Sequence, residues 1–247
     1  MKMTNFKKSI IDNLKTLIGA LLIAVLIRSL IVQPFYIPSS SMEPTLLVGD
    51  RIFVLKYSYG YSKHSFPFSP NFSNMRYFSK EPTQGDLVVF KTPADNRTDY
   101  IKRLIGLPGD EIQFIDGDLY INKKKIKRKS TQISNTIRCG NFFLETENYV
   151  ETLPNGVKYT AVYNKRGTLK NSKIFKVPKD HFFLMGDNRD CSKDSRFLDE
   201  VGYVKKINLV GKAKFLFFSN DTNKSSLIKF WNLRSSFRTE RTFKKLK

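Results

Sequence analysis

Apolar positions in this chain fall into one long block and many short runs. The block, LKTLIGALLIAVLIRSLIV from Leu14 to Val32, is interrupted by Lys15, Thr16, Arg28 and Ser29, all near its ends. About 20 helical residues cover the ~30 Å hydrocarbon layer of a bilayer, so the block predicts a transmembrane helix. A mid-bilayer arginine costs ~2.5–3.5 kcal/mol on insertion scales, but Arg28 is close enough to the end to snorkel to the interface. Lys2, Lys7, Lys8 and Lys15 crowd the other end, which orients the N-terminus toward the cytoplasm and everything beyond Gln33 to the outside. A cleaved secretory leader has the same basic start and apolar centre. Here Gln33-Pro34-Phe35-Tyr36 follow, with no small-x-small cleavage site, which favours an uncleaved anchor.

Beyond the block, short runs rich in Val, Ile and Phe alternate with turn residues, the pattern of an antiparallel β protein. Glu111–Ile115 and Leu119–Asn122 flank Asp116-Gly117-Asp118, and Tyr149–Leu153 and Val157–Tyr163 flank Pro154-Asn155-Gly156. Both read as hairpins. Arg51–Lys56, Asp86–Phe90, Ile174–Val177, His181–Met185 and Lys212–Phe217 are further strand candidates. No long 3.6-residue period competes with them. Tyr57–Phe78 differs, with eight aromatic residues among Ser, Pro and Asn; it reads as a long loop packed on the sheet, or as one dipping into the lipid interface where aromatic rings settle. The basic tail after Trp231 is expected to fray.

Composition adds limits rather than a function. The 247 residues are 40% hydrophobic and 26% charged, enough to build a core. The formal charge of +21 suits an anionic partner, or a codon bias toward lysine. The basic residues are spread along the chain without an aromatic–basic module, so no nucleic-acid partner is expected. The two histidines, His64 and His181, are too few for an ordinary zinc site. Whether Cys139 and Cys191 pair is left open by the sequence.

Three segments carry candidate chemistry. In Pro38-Ser39-Ser40-Ser41-Met42-Glu43-Pro44-Thr45-Leu46 two prolines restrict the backbone on both sides of a serine cluster, which suits a serine held at a bend. In Asp99-Tyr100-Ile101-Lys102-Arg103-Leu104-Ile105-Gly106-Leu107-Pro108-Gly109-Asp110 a lysine interrupts an apolar run. On a strand, Tyr100 and Lys102 share one face. Such a lysine is either an edge gatekeeper or a buried amine that desolvation turns into a neutral base. Gly186-Asp187-Asn188-Arg189-Asp190-Cys191-Ser192-Lys193-Asp194-Ser195-Arg196-Phe197 is a polar loop dense in local hydrogen bonds. It fails as a calcium loop, because Arg189, Cys191 and Leu198 stand where oxygen ligands are needed.

In this order, after an anchor, the segments resemble the conserved boxes of bacterial type I signal peptidases, also called leader peptidases. The resemblance covers about half the chain. It implies that Ser41 is the nucleophile and Lys102 its general base, with the Ser41 backbone N–H and the Ser39 hydroxyl as oxyanion hole. It further implies that Ser192 orients the lysine amine, that Asp194 and Arg196 form a supporting ion pair, and that Asp187 and Arg189 brace the site. Phe35, Ile37, Met42, Leu46, Tyr100 and Ile101 would wall a substrate pocket for small side chains. Two departures stand out: Cys191 replaces a frequent Asn, and Leu-Asp-Glu-Val-Gly-Tyr-Val-Lys follows Phe197 in place of Trp-Gly-x-Val-Pro.

Competing readings have less behind them. A Ser–His–Asp site would need His181 or His64 as base. Ser226-Leu227-Ile228-Lys229 matches Ser-x-x-Lys without the accompanying Lys-Thr-Gly. A membrane-anchored basic module that binds acidic partners or lipids leaves the three boxes unexplained. The expected fold is mainly β: an N-terminal transmembrane helix, then an antiparallel β catalytic core with a β-ribbon insert. The expected divisions are 1–33 for the cytoplasmic start and anchor, 34–112 with 176–230 for the core, 113–175 for the insert and 231–247 for the tail. The expected activity is endoproteolysis of signal-peptide-bearing preproteins after small-x-small motifs, through an acyl-enzyme and without metal or organic cofactor. The expected setting is the inner (cytoplasmic) membrane, against its phospholipids.

Overall fold

The computed structural model describes residues 2–71, 73–167, 169–221 and 236–246. The Ser226–Lys229 motif and Trp231 lie outside them. Helix α1 spans Lys2–Leu30, and its stretch Ser9–Leu30 has mean hydropathy 2.1 and is uncovered by the protein except at its end, where Ser29 is buried. It is long and apolar enough to cross a membrane. Leu17, Leu21, Leu22 and Ile23 on successive sides are all at least 60% exposed; a helix apolar all round needs a nonpolar solvent. It stops at Leu30, short of the predicted Val32, because Val32 opens strand β1 (Val32–Tyr36) opposite Leu55 of β2 (Asp50–Leu55). Pro34 is tolerated because β1 is an edge strand.

The chain continues through β3 (Leu87–Lys91) and β4 (Asp99–Gly106). It then leaves the main sheet for β5 (Glu111–Ile115), β6 (Asp118–Ile121), β7 (Lys124–Lys125), β8 (Lys127–Cys139), β9 (Phe142–Thr152), β10 (Lys158–Asn164) and β11 (Phe175–Lys176). It returns with β12 (His181–Met185), β13 (Val204–Lys205), β14 (Leu209–Ser219) and β15 (Lys244–Lys245). The main sheet has the order β1-β2-β14-β3-β4-β12-β13, with β15 on β14. Strands β8 to β10 form a three-stranded ribbon, and β11-β5-β6-β7 a third sheet. All the pairs are antiparallel, so the molecule is mainly β.

The β5–β6 turn uses Asp116 and Gly117, both at positive φ (50° and 80°), as a two-residue hairpin turn demands. Strand β8, the longest, had no signal in the sequence: KRKSTQISNTIRC is polar and mostly exposed, so no apolar alternation marks it. Three apolar clusters form the core, and β4 touches each through Ile101, Leu104 and Ile105. The residue between them, Lys102, is thereby carried into the interior.

Two loose ends are tighter than expected. The described part of the tail, 236–246, does not fray: Leu246 is buried, and Arg241 donates to Asp50 Oδ2 at 2.6 Å and to the Thr45 carbonyl at 3.1 Å. The apolar seat and the fully buried Asp50 carboxylate hold it. The Tyr57–Phe78 loop is packed in part. Tyr59 is buried with its hydroxyl donating to Asp86 Oδ2 at 2.9 Å, and Arg76 donates to the carbonyls of Gly60, Lys206 and Ile207. Phe68 and Phe78 nevertheless point into open space.

Candidate active site

Ser40–Met42 form one 3₁₀ turn directly after β1, with all three residues buried. The turn is held from outside. Ser40 Oγ donates to the Arg138 carbonyl at 2.7 Å, Asn188 Nδ2 to the Ser40 carbonyl at 3.2 Å, and the Asn188 backbone N–H to the Ser41 carbonyl at 3.1 Å. Ser39 Oγ lies 3.3 Å from Ser41 Oγ.

Lys102 reaches the turn from β4. Its Nζ donates to Ser41 Oγ at 2.7 Å across 61 residues of chain, and the lysine is 4% exposed. Burial pulls its pKa down from 10.5 to about 8; Asp194 and Asp187 resist the fall, and Arg196 adds to it. At pH 7 about one molecule in ten then carries the neutral amine. A hydroxyl beside such an amine can be deprotonated as it attacks.

The polar loop surrounds this pair with buried charges, each matched. Asp194 takes two hydrogen bonds from the Arg196 guanidinium, at 2.8 and 2.9 Å, one from the Arg196 N–H at 3.3 Å and one from the Gly186 N–H at 2.9 Å. Burial works to raise its carboxyl, but Arg196 and these donors hold it below the ordinary 3.8. Asp187 is gripped by Arg103 through two 2.7 Å bonds and accepts from Thr45 Oγ1. Arg189 forks onto Glu151 at 2.6 and 3.0 Å, and the Tyr159 and Tyr163 hydroxyls donate to the same carboxylate. Isolated, such buried charges would be strongly destabilising.

Two further contacts tie loop to ribbon. Val162 N–H of β10 donates to the Asp187 carbonyl at 2.8 Å. Cys139, at the end of β8, is disulfide-bonded to Cys191, with Cα atoms 5.6 Å apart. Gly186 is the tightest point, because a Cβ there would lie 2.3 Å from Ser192 Oγ and 2.5 Å from the Ser41 carbonyl oxygen.

A cleft of about 360 Å³ opens over the pair, walled by Phe35, Ile37, Met42, Ile52, Tyr100 and Ile101. With this site in place, comparison with known proteins is decisive. The family described as signal peptidase, peptidase S26, matches residues 10–218. The chain belongs to that signal peptidase family.

Signal peptidase I of Rickettsia akari is 46% identical over 214 residues, 81% of this chain and 77% of its own. Signal peptidase I of Rickettsia typhi is 43% identical over 228 residues, 87% and 83% of the two chains. A crystal structure of a signal peptidase I from Enterococcus faecalis V583 shares 27% identity over 54% of this chain and 97% of its own, with TM-score 0.33. Membership places the chain among the serine peptidases, which are hydrolases.

Of the residues singled out by sequence, this signal peptidase family member brings Ser39, Ser41, Lys102, Phe35, Ile37, Met42, Tyr100 and Ile101 to one cleft. Leu46 is not in the wall. It is fully buried in the core cluster beneath, because its N–H bonds to the Met42 carbonyl and turns it inward. Ser192 Oγ is buried and close enough to Asp194 to help hold its carboxyl low, yet it makes no full hydrogen bond and none to Lys102. Asp187 and Arg189 pair not with each other but with Arg103 and Glu151. Arg103 was legible as a neighbour of Lys102, whereas nothing local marked Glu151, Tyr159, Tyr163 or the Gly186 contact. Neither histidine lines the cleft.

Proposed function

We propose that this chain is a membrane-anchored serine endopeptidase that removes signal peptides from exported preproteins. The observation that carries the reading is the buried 2.7 Å contact between Lys102 Nζ and Ser41 Oγ. Ser41 attacks the scissile carbonyl while the neutral Lys102 amine takes its proton. The Ser41 backbone N–H and the Ser39 hydroxyl receive the oxyanion, where one lost donor typically costs ~2.7–4 kcal/mol of barrier. Lys102 returns the proton to the leaving amine, and water, activated by the same lysine, hydrolyses the ester-linked acyl-enzyme.

The arginine-paired carboxylates of Asp187 and Asp194 hold the loop that grips Ser41, and Ser192 fills the space beside Gly186. The aromatic and aliphatic wall of the cleft leaves shallow seats, which suits cleavage after small-x-small motifs. Strand β1 alone separates the end of α1 from the Ser41 turn, so the site is tethered near the bilayer. The N-terminus faces the cytoplasm, α1 crosses the inner membrane once, and the core (34–112 and 176–230) with its ribbon insert (113–175) stands on the extracytoplasmic side. No metal or organic cofactor enters the chemistry.

Incubating the detergent-solubilised protein with a preprotein tests this. Ser41→Ala and Lys102→Ala should abolish processing with the fold intact, and Lys102→Arg should be nearly as inactive because guanidinium stays charged. Processing by Ser41→Ala at the unmutated rate would sink the assignment.

A further inference from the structure

A second cavity, about 420 Å³, opens where α1 meets the main sheet. It shares only Asp99 with the Ser41 cleft. Its lining collects Arg28 from the last turn of α1, His64 and Ser69 from the aromatic loop, and Lys91, Arg97 and Asp99 from β3, β4 and their connection.

His64 is 4% exposed, and its ring is half satisfied. Nδ1 is 3.0 Å from Ser69 Oγ, whereas the buried Nε2 has no partner. Burial, together with Lys63, Lys91, Arg76 and Lys56, lowers its pKa to about 4, so the ring is neutral. In the tautomer whose Nδ1 accepts from the Ser69 hydroxyl, Nε2 carries the hydrogen and is an unmet donor. A buried donor without an acceptor is a costly arrangement that calls for an explanation.

The charges around it ask for an anion. Asp99 is already taken by Lys91 at 2.9 Å. Among the described residues Arg28 and Arg97 make no ion pair. Behind His64, the buried Lys56 donates to the His64 carbonyl at 3.4 Å. Burial lowers that amine to about 8 against the pull of Asp99, and Lys91, Arg28 and Arg76 lower it further. The cavity is therefore a mainly positive, donor-lined space whose one lining carboxylate among the described residues, Asp99, is already held by Lys91.

Its position selects the anion. Arg28 ends the segment that crosses the bilayer, and Phe68, in the same lining, is fully exposed, as aromatic side chains are at headgroup level. We propose that this cavity seats the phosphodiester of an anionic phospholipid headgroup, with His64 Nε2–H, Arg28 and Arg97 as its donors. The inference rests on α1 being a membrane span, and it gives the anchored enzyme a specific lipid site beside the strand that carries Lys102.

The chain has two histidines, and His181, whose Nδ1 lies 2.7 Å from the Lys179 carbonyl, is outside the cavity. Histidine-labelled full-length protein in maltoside micelles can thus be followed by two ring NMR signals. Phosphatidylglycerol should shift the His64 signal saturably and leave His181 still. Phosphatidylcholine, and inorganic phosphate at equal phosphate concentration, should do neither. Arg97→Gln, an exposed change, should raise the phosphatidylglycerol midpoint about fivefold, the weight of one basic side chain near an anionic surface. Ser41→Ala should keep the full response, so lipid binding is read independently of processing. A static His64 signal, an unchanged midpoint in Arg97→Gln, or an equal response to phosphatidylcholine would overturn the proposal. A response to inorganic phosphate as strong as that to phosphatidylglycerol would overturn it in favour of a soluble phosphate ligand.

Discussion

The Lys102 amine lies 5.2 Å from the centre of the Tyr100 ring, two residues back on the same face of β4. The ring excludes water from the amine, so desolvation outweighs the pull of the two nearby carboxylates, and the pKa falls to about 8. In the proposed mechanism the active form is the deprotonated one. Preprotein cleavage measured as kcat/KM should therefore rise as pH increases through about 8 and level off above it. A profile flat from pH 6 to 9 would contradict a lysine base.

The same burial carries a stability cost. The folded value of about 8 lies below the ordinary 10.5, so the unfolded chain binds the proton more tightly between them and stability rises with pH across that window. Lys102→Met keeps the shape and removes the charge. It should abolish cleavage, erase the rise between pH 8 and 10.5, and stabilise the fold at pH 7 by about 2 kcal/mol in urea titrations, after the lost hydrogen bond to Ser41 is subtracted.

Gly186 has no room for a methyl group, since its neighbours include the Ser41 carbonyl oxygen at 2.5 Å, a backbone atom held by Asn188. Gly186→Ala should displace the Ser41 turn from Lys102 and cut kcat at least about 100-fold, in line with the cost of small misplacements in active sites. Processing at the unmutated rate would show that the loop can yield there.

The Cys139–Cys191 bond closes a 52-residue separation and fastens the ribbon to the polar loop. In the chain-entropy account a loop of that length contributes roughly 4 kcal/mol. Cys139→Ser should lower the Tm and leave Cys191 reactive toward a thiol reagent. Equal melting of the reduced and oxidised protein would refute a stabilising role.

Much of this molecule is local and can be read along the chain. The apolar block around Leu21 announces α1, Asp116-Gly117 announces a hairpin, and the serine, lysine and polar-loop segments announce the chemistry through their residue types and order. What the tertiary structure alone decided is which distant partners meet. Glu151 closes on Arg189, Asp187 on Arg103, Cys139 on Cys191, and Leu246 returns to the core. These pairings depend on strand register and loop closure over tens of residues, and no local pattern encodes them. Strand β8 makes the same point, because its polar face reads as loop until the ribbon pairs it. Side-chain chemistry is written residue by residue, but a buried charge finds its partner only when the sheets assemble.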